Sequence, residues 1–154
     1  MAKSDKTKAK SLPSGHWKDE PDEHDYPAAG DFLSLVMCED EVATAVAALG
    51  ETAIVRRKAK DLLRASRLDL LPAANAHVTV DLDKVRRGER LSPILLVRGD
   101  AGRDVPLTVA DGYHRICASY HIDENADIPC RIAGVFSGTS PIATNTLDSA
   151  SSAS

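Results

Sequence analysis

Aromatic residues are scarce in this chain of 154 residues, where phenylalanine, tryptophan and tyrosine together account for only 4%. A hydrophobic core must therefore be built from leucine, valine, isoleucine and alanine. No apolar run approaches the roughly 20 residues that a membrane-spanning helix needs. No apolar segment follows the charged start of the chain either, which argues against a secretory signal. We therefore expect a cytoplasmic protein that does not bind membranes.

Cysteine and basic charge are also limited. The three cysteines, Cys38, Cys117 and Cys130, are odd in number and far apart, so they predict neither a disulfide framework nor a zinc-binding pair. The net charge is −4, although residues 53–132 carry 14 basic against 11 acidic side chains. This small excess suits a small anionic ligand and falls short of the basic surface of a duplex-DNA binder. We therefore do not expect a nucleic-acid partner.

The two ends of the chain differ in composition from its middle. Residues 1–30 are rich in charged residues, serine and proline, and predict a disordered arm. Residues 134–154 are rich in serine, threonine and alanine, and predict a disordered tail. Between them we expect an N-terminal helical segment at residues 31–67 and a small folded domain at residues 68–133.

Helical spacing of apolar residues marks the N-terminal part of the middle region. Two helices are predicted, one at residues 39–49 and one from about residue 52 to residue 66. A short strand at residues 68–71 and a short helix at residues 81–87 follow. Gly88 is the expected residue after the end of this third, short helix.

Three further strands complete the predicted sheet. Residues 93–97 form a continuous apolar run, typical of a strand covered on both faces. A hairpin loop at residues 98–104 leads to an alternating strand at residues 107–110. The last strand, residues 128–132, contains Pro129, which favours an edge or strand-start position. The predicted fold class is α+β, a small mixed sheet of about four strands with short helices, preceded by two N-terminal helices.

The most informative stretch of the sequence is residues 107–115. An alternating strand runs into an Asp-Gly pair, and a Tyr-His-Arg sequence begins the next helical pattern. The free N–H groups of a helix's first turn make such a turn an anion site. Arginine adds a bidentate donor, and histidine gains or loses a proton near neutral pH. The predicted ligand-binding residues are Gly112, Tyr113, His114 and Arg115, and the predicted catalytic residues are His114 and Asp111.

The same residues also have a simpler interpretation. In it Asp111 caps the helix, Gly112 fits a tight turn and Arg115 is a surface charge. Asp111 and His114 are also possible ligands of a divalent metal, but two residues are too few to define a metal site. Tyr113 either stacks on a base of the ligand or covers the turn, and the sequence does not separate these roles.

Two other groups of residues leave alternatives open. Arg86, Arg87 and Arg90 cluster around a glycine, and they either line the mouth of the same site or form a solvated basic surface. Cys117 lies one helical turn beyond the motif and is expected to face the core. His77 has no partner at a metal-binding spacing and is interpreted as a surface or loop residue.

Several of these elements in this order resemble the ParB N-terminal/sulfiredoxin superfamily. The matching elements are a helix that ends before Gly88, residues 91–97, residues 109–118 and residues 128–132. The resemblance covers roughly residues 68–132. It implies a ParB/sulfiredoxin-like fold in which the Gly-x-x-Arg turn binds the phosphates of a nucleotide, with Mg²⁺ as a possible companion.

The sequence also departs from the two best-known patterns of this superfamily. ParB-type partition proteins have Gly-Glu-Arg-Arg and an added helix-turn-helix, whereas here Tyr113 and His114 follow Gly112 and no such reader is expected after Ile132. Sulfiredoxins have Gly-Cys-His-Arg, and this chain has Tyr113 at the position of the catalytic thiol. The resemblance therefore implies neither chromosome partitioning nor reduction of a sulfinic acid.

Three functions are consistent with the sequence. The first is binding of a nucleotide or other phosphate ligand, with phosphoryl transfer or phosphate-ester hydrolysis as the accompanying chemistry. The second is a non-enzymatic interaction module that binds a protein partner or forms a homodimer through its N-terminal helices. The third, DNA binding or cleavage, is opposed by the overall acidity of the chain.

Overall fold

A computed structural model describes residues 15–134, and this part of the chain contains five α-helices, four strands and one short 3₁₀ helix. The helices are α1 (Asp25–Leu33), α2 (Glu39–Leu49), α3 (Ala59–Ser66), α4 (Ala76–Arg86) and α5 (Tyr113–Ile122). The strands are β1 (Val55–Lys58), β2 (Ile94–Val97), β3 (Thr108–Asp111) and β4 (Asp127–Ala133), and the 3₁₀ helix is Ala101–Arg103.

The four strands form one mixed sheet in the order β1-β4-β2-β3. β4 pairs antiparallel with β1 and parallel with β2, and β2 pairs antiparallel with β3. The predicted α+β class with a small mixed sheet is therefore confirmed. Two helices precede the sheet, but they are α1 and α2, and of these only α2 is one of the two helices predicted there.

Helices cover both faces of this sheet. Ile94 and Leu96 of β2 pack into one apolar cluster with residues of α3, α4 and α5. Leu95 and Val97 point to the opposite face and pack into a second cluster with α1 and α2. All four residues of β2 are buried, as expected for a continuous apolar strand between two layers.

The predicted helix at residues 52–66 is wrong in its first half. Residues 55–58 form the edge strand β1, and only Ala59–Ser66 is helical. The three basic residues of β1 are exposed, so the local pattern carries no strand signal. Pairing with β4, about seventy residues later in the chain, determines the strand. The strand predicted at residues 68–71 is absent from the described sheet, since these residues form a loop.

The predicted disordered arm is also shorter than expected. The side chain of Trp17 is only 4% exposed, and the backbone N–H of Lys18 donates to the carbonyl of Leu91 at 2.8 Å. Helix α1 begins at Asp25, inside the predicted arm. The buried indole and the backbone hydrogen bonds with Leu91 together hold this segment against the folded part of the chain, although its neighbours are charged. Residues 1–14, and the predicted tail beyond Gly134, lie outside the described residues.

The predicted boundary at residue 68, between an N-terminal helical segment and a folded domain, does not separate two independently packed units. β1 belongs to the sheet, and α1 and α2 cover one face of it. Two smaller corrections concern α4, which begins at Ala76 rather than at residue 81, and β4, which is a central strand. Pro129 still has a neighbouring strand on one side only, because pairing with β2 begins at Cys130.

Two further predictions concern Gly88 and the presence of membrane-spanning helices. Gly88 follows the end of α4, as predicted, and its φ of +82° is the left-handed conformation typical of glycine at that position. Among the described helices, none has the length and apolar character needed to cross a membrane.

Candidate functional site

The turn between β3 and α5 is the starting point of the candidate site. β3 ends at Asp111, and Gly112 has φ of +115° before α5 begins at Tyr113. A residue with a side chain would have a strained backbone at this φ, and its Cβ would overlap Cδ1 of Ile94. Only glycine therefore allows the strand to turn into the helix this close to β2.

The first turn of α5 has no side-chain cap. Gly112 is the N-cap residue and offers no side-chain acceptor, and the first intrahelical hydrogen bond runs from the Ile116 N–H to the Gly112 carbonyl at 3.0 Å. The prediction that Asp111 caps this helix is therefore wrong. The N–H groups of Tyr113 and His114 belong to the helix turn that has no intrahelical acceptors.

A cavity of about 350 Å³ lies over this turn, and Gly112, Tyr113 and His114 line it. The other walls come from the segment before α1, from α4 and from residues 90–92. The charged or titratable residues of these walls are Lys18, Asp22, His24, Asp25, His77, Asp81, Lys84, Arg90, Asp111, His114 and Arg115. The site therefore combines parts of the chain that lie up to about a hundred residues apart.

Four residues at the base of the cavity, Asp25, Ser92, Asp111 and Arg115, form a connected network that we call the floor. Arg115 donates from Nη2 to Oδ2 of Asp111 at 2.6 Å and from Nη1 to the carbonyl of Ser92 at 2.8 Å. Its Nη1 also contacts the hydroxyl of Ser92. That hydroxyl donates to Oδ2 of Asp25 at 2.7 Å, and Nη1 of Arg115 lies 3.6 Å from the same oxygen.

The floor is largely buried. The side chains of Asp25 and Arg115 are 5% and 14% exposed. Burial raises the pKa of Asp111, Arg115 acts in the opposite direction, and the nearby carboxylate of Asp25 raises the pKa further. Arg115 thus holds two carboxyl groups close together, and its terminal nitrogens are directed mainly at protein atoms. The sequence predicts instead that the guanidinium of Arg115 is free to bind and neutralise a ligand.

Five other side chains line the cavity above the floor, and we call them the rim. They are His77, Asp81 and Lys84 of α4 together with Arg90 and His114. The rings of His77 and His114 lie with their centroids 4.7 Å apart. Within residues 15–134, none of these five side chains makes a hydrogen bond or an ion pair to another residue.

Two rim residues have shifted pKa values. Burial lowers the pKa of His114, and the neighbouring His77 lowers it further. The imidazole of His114 is therefore mainly neutral at pH 7 and can accept or donate a proton. Burial raises the pKa of Asp81, with the cations around it acting in the opposite direction.

Tyr113 covers the turn. Its hydroxyl donates to the carbonyl of Asp69 at 2.6 Å, and its ring centroid lies 5.6 Å from that of His114. Of the two roles left open for Tyr113, this contact favours covering the turn.

The three arginines around Gly88 separate into two groups. Arg86 pairs with Asp83 at 2.6 Å, and Arg87 pairs with Glu89 at 2.9 Å. Arg90 alone of the three lines the cavity. Cys117 is buried as expected, and its Sγ accepts a hydrogen bond from the N–H of Leu71 at 3.5 Å.

Sequence reasoning missed His77, Asp81 and Lys84 as site residues. Their spacing of four and three residues places them on one face of a helix, which is a usable signal. The spacing does not show which helix packs beside the turn at residues 111–115. This helix face could therefore not be assigned to the site from the sequence.

One group within the described residues has the spacing of a metal site. Ligand atoms of Asp22, His24 and Asp25 lie within 4.8 Å of one another. Neither Asp111 nor His114, the two predicted candidates, belongs to this group. Asp25 already accepts hydrogen bonds from the Asp22 N–H and from Ser92, so internal contacts account for the closeness of these residues.

Comparison of the chain with protein families, with curated proteins and with solved structures gave no match.

Proposed function

We propose that this protein binds a small phosphate-bearing molecule of the nucleotide class in the cavity above α5. The observation that carries this proposal is the uncapped first turn of α5, which lines a cavity beside two cations, Lys84 and Arg90, that make no ion pair among the described residues. Backbone N–H groups at a helix start and unpaired basic side chains together favour an anion.

Some residues of the cavity are proposed to contact the phosphate group, and others to hold the turn in place. The N–H groups of Tyr113 and His114 hold phosphate oxygens, and Lys84 and Arg90 neutralise the charge. The cavity volume of about 350 Å³ falls at the lower end of the range for small-molecule sites. Arg115 and Asp111 act as positioning residues that fix the turn, since they are bonded to each other.

The chemistry that this arrangement suits is phosphoryl transfer or phosphate-ester hydrolysis. Such reactions depend mainly on positioning and on neutralising charge. His114, which is mainly neutral at pH 7 and next to the helix start, is the proposed proton carrier. The proposed catalytic role of Asp111 has less support, because its carboxylate is engaged by Arg115. The ParB/sulfiredoxin resemblance and the cytoplasmic location stay predictions.

A thermal-shift panel tests this proposal. The full chain is heated with nucleoside mono-, di- and triphosphates, each with and without Mg²⁺, and with sulfate as a simple anion. A ligand that binds the native state raises the melting temperature. We expect at least one phosphate compound to raise it more than sulfate does at the same ionic strength. No shift with any phosphate compound would contradict the proposal.

We propose protein docking as a second function, on a separate observation. Phe32 in the last turn of α1 and Leu35 and Val36 just after it are 42%, 80% and 55% exposed, although they are large and apolar. Adjacent exposed apolar side chains favour an interface with a protein partner or a second copy of the chain. Light scattering of the wild type and of Leu35→Glu tests the homodimer. A mass above the monomer that falls in the variant would support it, and a monomer in both would exclude it.

A further inference from the structure

Asp81 is an exception among the acidic residues of the cavity. Asp22 pairs with Lys18 at 2.8 Å, Asp25 accepts from Ser92 and Asp111 accepts from Arg115. Asp81 lines the same cavity, half-buried, and no side chain or backbone N–H in residues 15–134 donates to it. Partial burial raises the pKa of Asp81, and the surrounding cations act in the opposite direction.

Asp81 is partly exposed, and a carboxylate that lines an open cavity is hydrated until a ligand fills the cavity and displaces that water. Because buried polar groups in native proteins nearly always have a hydrogen-bond partner, a ligand that covers Asp81 must itself offer a donor. Asp81 also sits beside the cations proposed to hold a phosphate, where a second negative charge weakens the binding of phosphate alone. A donor group on the ligand would satisfy Asp81 and remove this disadvantage.

We infer that the ligand of this cavity carries, besides its phosphate, a hydroxyl or ammonium group that donates a hydrogen bond to Asp81. The ligand class is therefore a phosphate monoester of a polyol or of an amino alcohol, and Asp81 is a specificity-determining residue. This inference rests on the proposed function, because it places the phosphate at the start of α5.

Calorimetric titration of the full chain with three esters tests the inference. Methyl phosphate has no donor beyond its phosphate, glycerol 3-phosphate adds hydroxyl groups, and phosphoethanolamine adds an ammonium group. We expect the wild type to bind at least one of the latter two about tenfold more tightly than methyl phosphate, the usual effect of a hydrogen bond to a charged group. The ester that gains affinity identifies the donor.

Two variants provide the matched comparison. Asp81→Ala should bind all three esters with nearly equal affinity. Asp83→Ala removes the same charge from the same helix, at a residue paired with Arg86 outside the cavity, and should keep the wild-type preference. Asp81→Asn retains an acceptor of the same size without its charge, so it should lose preference for the ammonium ester alone.

The outcomes distinguish failure of this inference from failure of the proposed function on which it rests. If methyl phosphate binds but the wild type shows no preference, or if Asp81→Ala keeps the preference, the inference is wrong and the proposed function stands. If none of the three esters binds to the wild type, the inference is wrong, and the nucleotide panel decides whether the proposed function stands.

Discussion

The floor and the rim of the cavity contain similar residue types in opposite states. In the floor, Arg115 bonds to Ser92 and Asp111 and lies near Asp25, and these residues are largely buried. In the rim, two cations, a carboxylate and two imidazoles have no hydrogen-bond or ion-pair partner within the described part of the chain. The charged groups of the floor are therefore paired with one another, whereas those of the rim make no ion pair among the described residues and are available to a ligand.

This difference separates stability from function. Removing one member of a buried, connected network leaves the other charges without partners, so a floor variant should lose stability first. Removing a rim side chain breaks no hydrogen bond or ion pair among residues 15–134, so a rim variant should change ligand affinity first. The predictions below test this division, from the largest expected effect to the smallest.

Arg115→Ala should have the largest effect. It leaves the carboxyl groups of Asp25 and Asp111 buried without their shared cation, which typically costs about 3–5 kcal/mol of unfolding free energy. Urea unfolding followed by circular dichroism measures the loss. Arg86→Ala is the control, because that exposed pair with Asp83 is worth less than about 1 kcal/mol. Equal losses in the two variants would show that the floor is not a stabilising network.

Gly112→Ala should also destabilise the protein, by about 3 kcal/mol, because it combines a strained backbone with overlap on Ile94. Gly88→Ala is the matched control. It shares a positive φ, +82°, but an added Cβ there meets no atom within 4 Å, so the loss should be about 1 kcal/mol from the backbone alone. Similar unfolding free energies for the two variants would contradict the tight packing of the turn against β2.

The sequence predicts this turn well and the rest of the site poorly. The Asp-Gly pair between an alternating strand and a helical pattern is a local signal, so residues 111–115 could be placed correctly. The partners of Arg115 could not, because Asp25 lies ninety residues away in a segment whose composition resembles disorder. His77 and Asp81 reach the site only through the packing of α4 beside α5.

The fold divides in the same way. β2 and α2 follow from local periodicity, with the boundaries of α2 as predicted. β1 could not be predicted, because its exposed basic residues resemble the polar side of a helix and only pairing with β4 makes them a strand. Local patterns therefore determine β2, α2 and the turn at residues 111–115, whereas distant contacts determine the edge strand β1 and the rim.

The double variant Lys84→Ala/Arg90→Ala tests the rim directly. Loss of both unpaired cations should weaken phosphate binding at least tenfold, while the free energy of unfolding should change by no more than about 0.5 kcal/mol. Arg86→Ala/Arg87→Ala removes the same charge outside the cavity and should leave affinity nearly unchanged. A similar loss in both double variants would indicate attraction by net charge rather than by a site.

The smallest expected effect concerns pH. The pKa of His114 is lowered in the folded protein, so just below pH 6.5 the unfolded chain binds more protons and the free energy of unfolding falls as the pH falls. Burial lowers the pKa of His16 as well, so that residue contributes part of the same slope. Urea unfolding between pH 7.5 and about pH 5.5 should show a shallower slope for His114→Asn than for the wild type. An identical slope would mean that the pKa of His114 is the same in the folded protein as in the unfolded chain.

The central claim is that the N–H groups at the start of α5 hold a phosphate. An NMR titration of the ¹⁵N-labelled full chain with inorganic phosphate, at constant ionic strength, tests it residue by residue. The account predicts that the amide signals of Tyr113 and His114 shift most, in a saturable manner. Saturable shifts confined to another part of the chain, or no shifts at all, would contradict it.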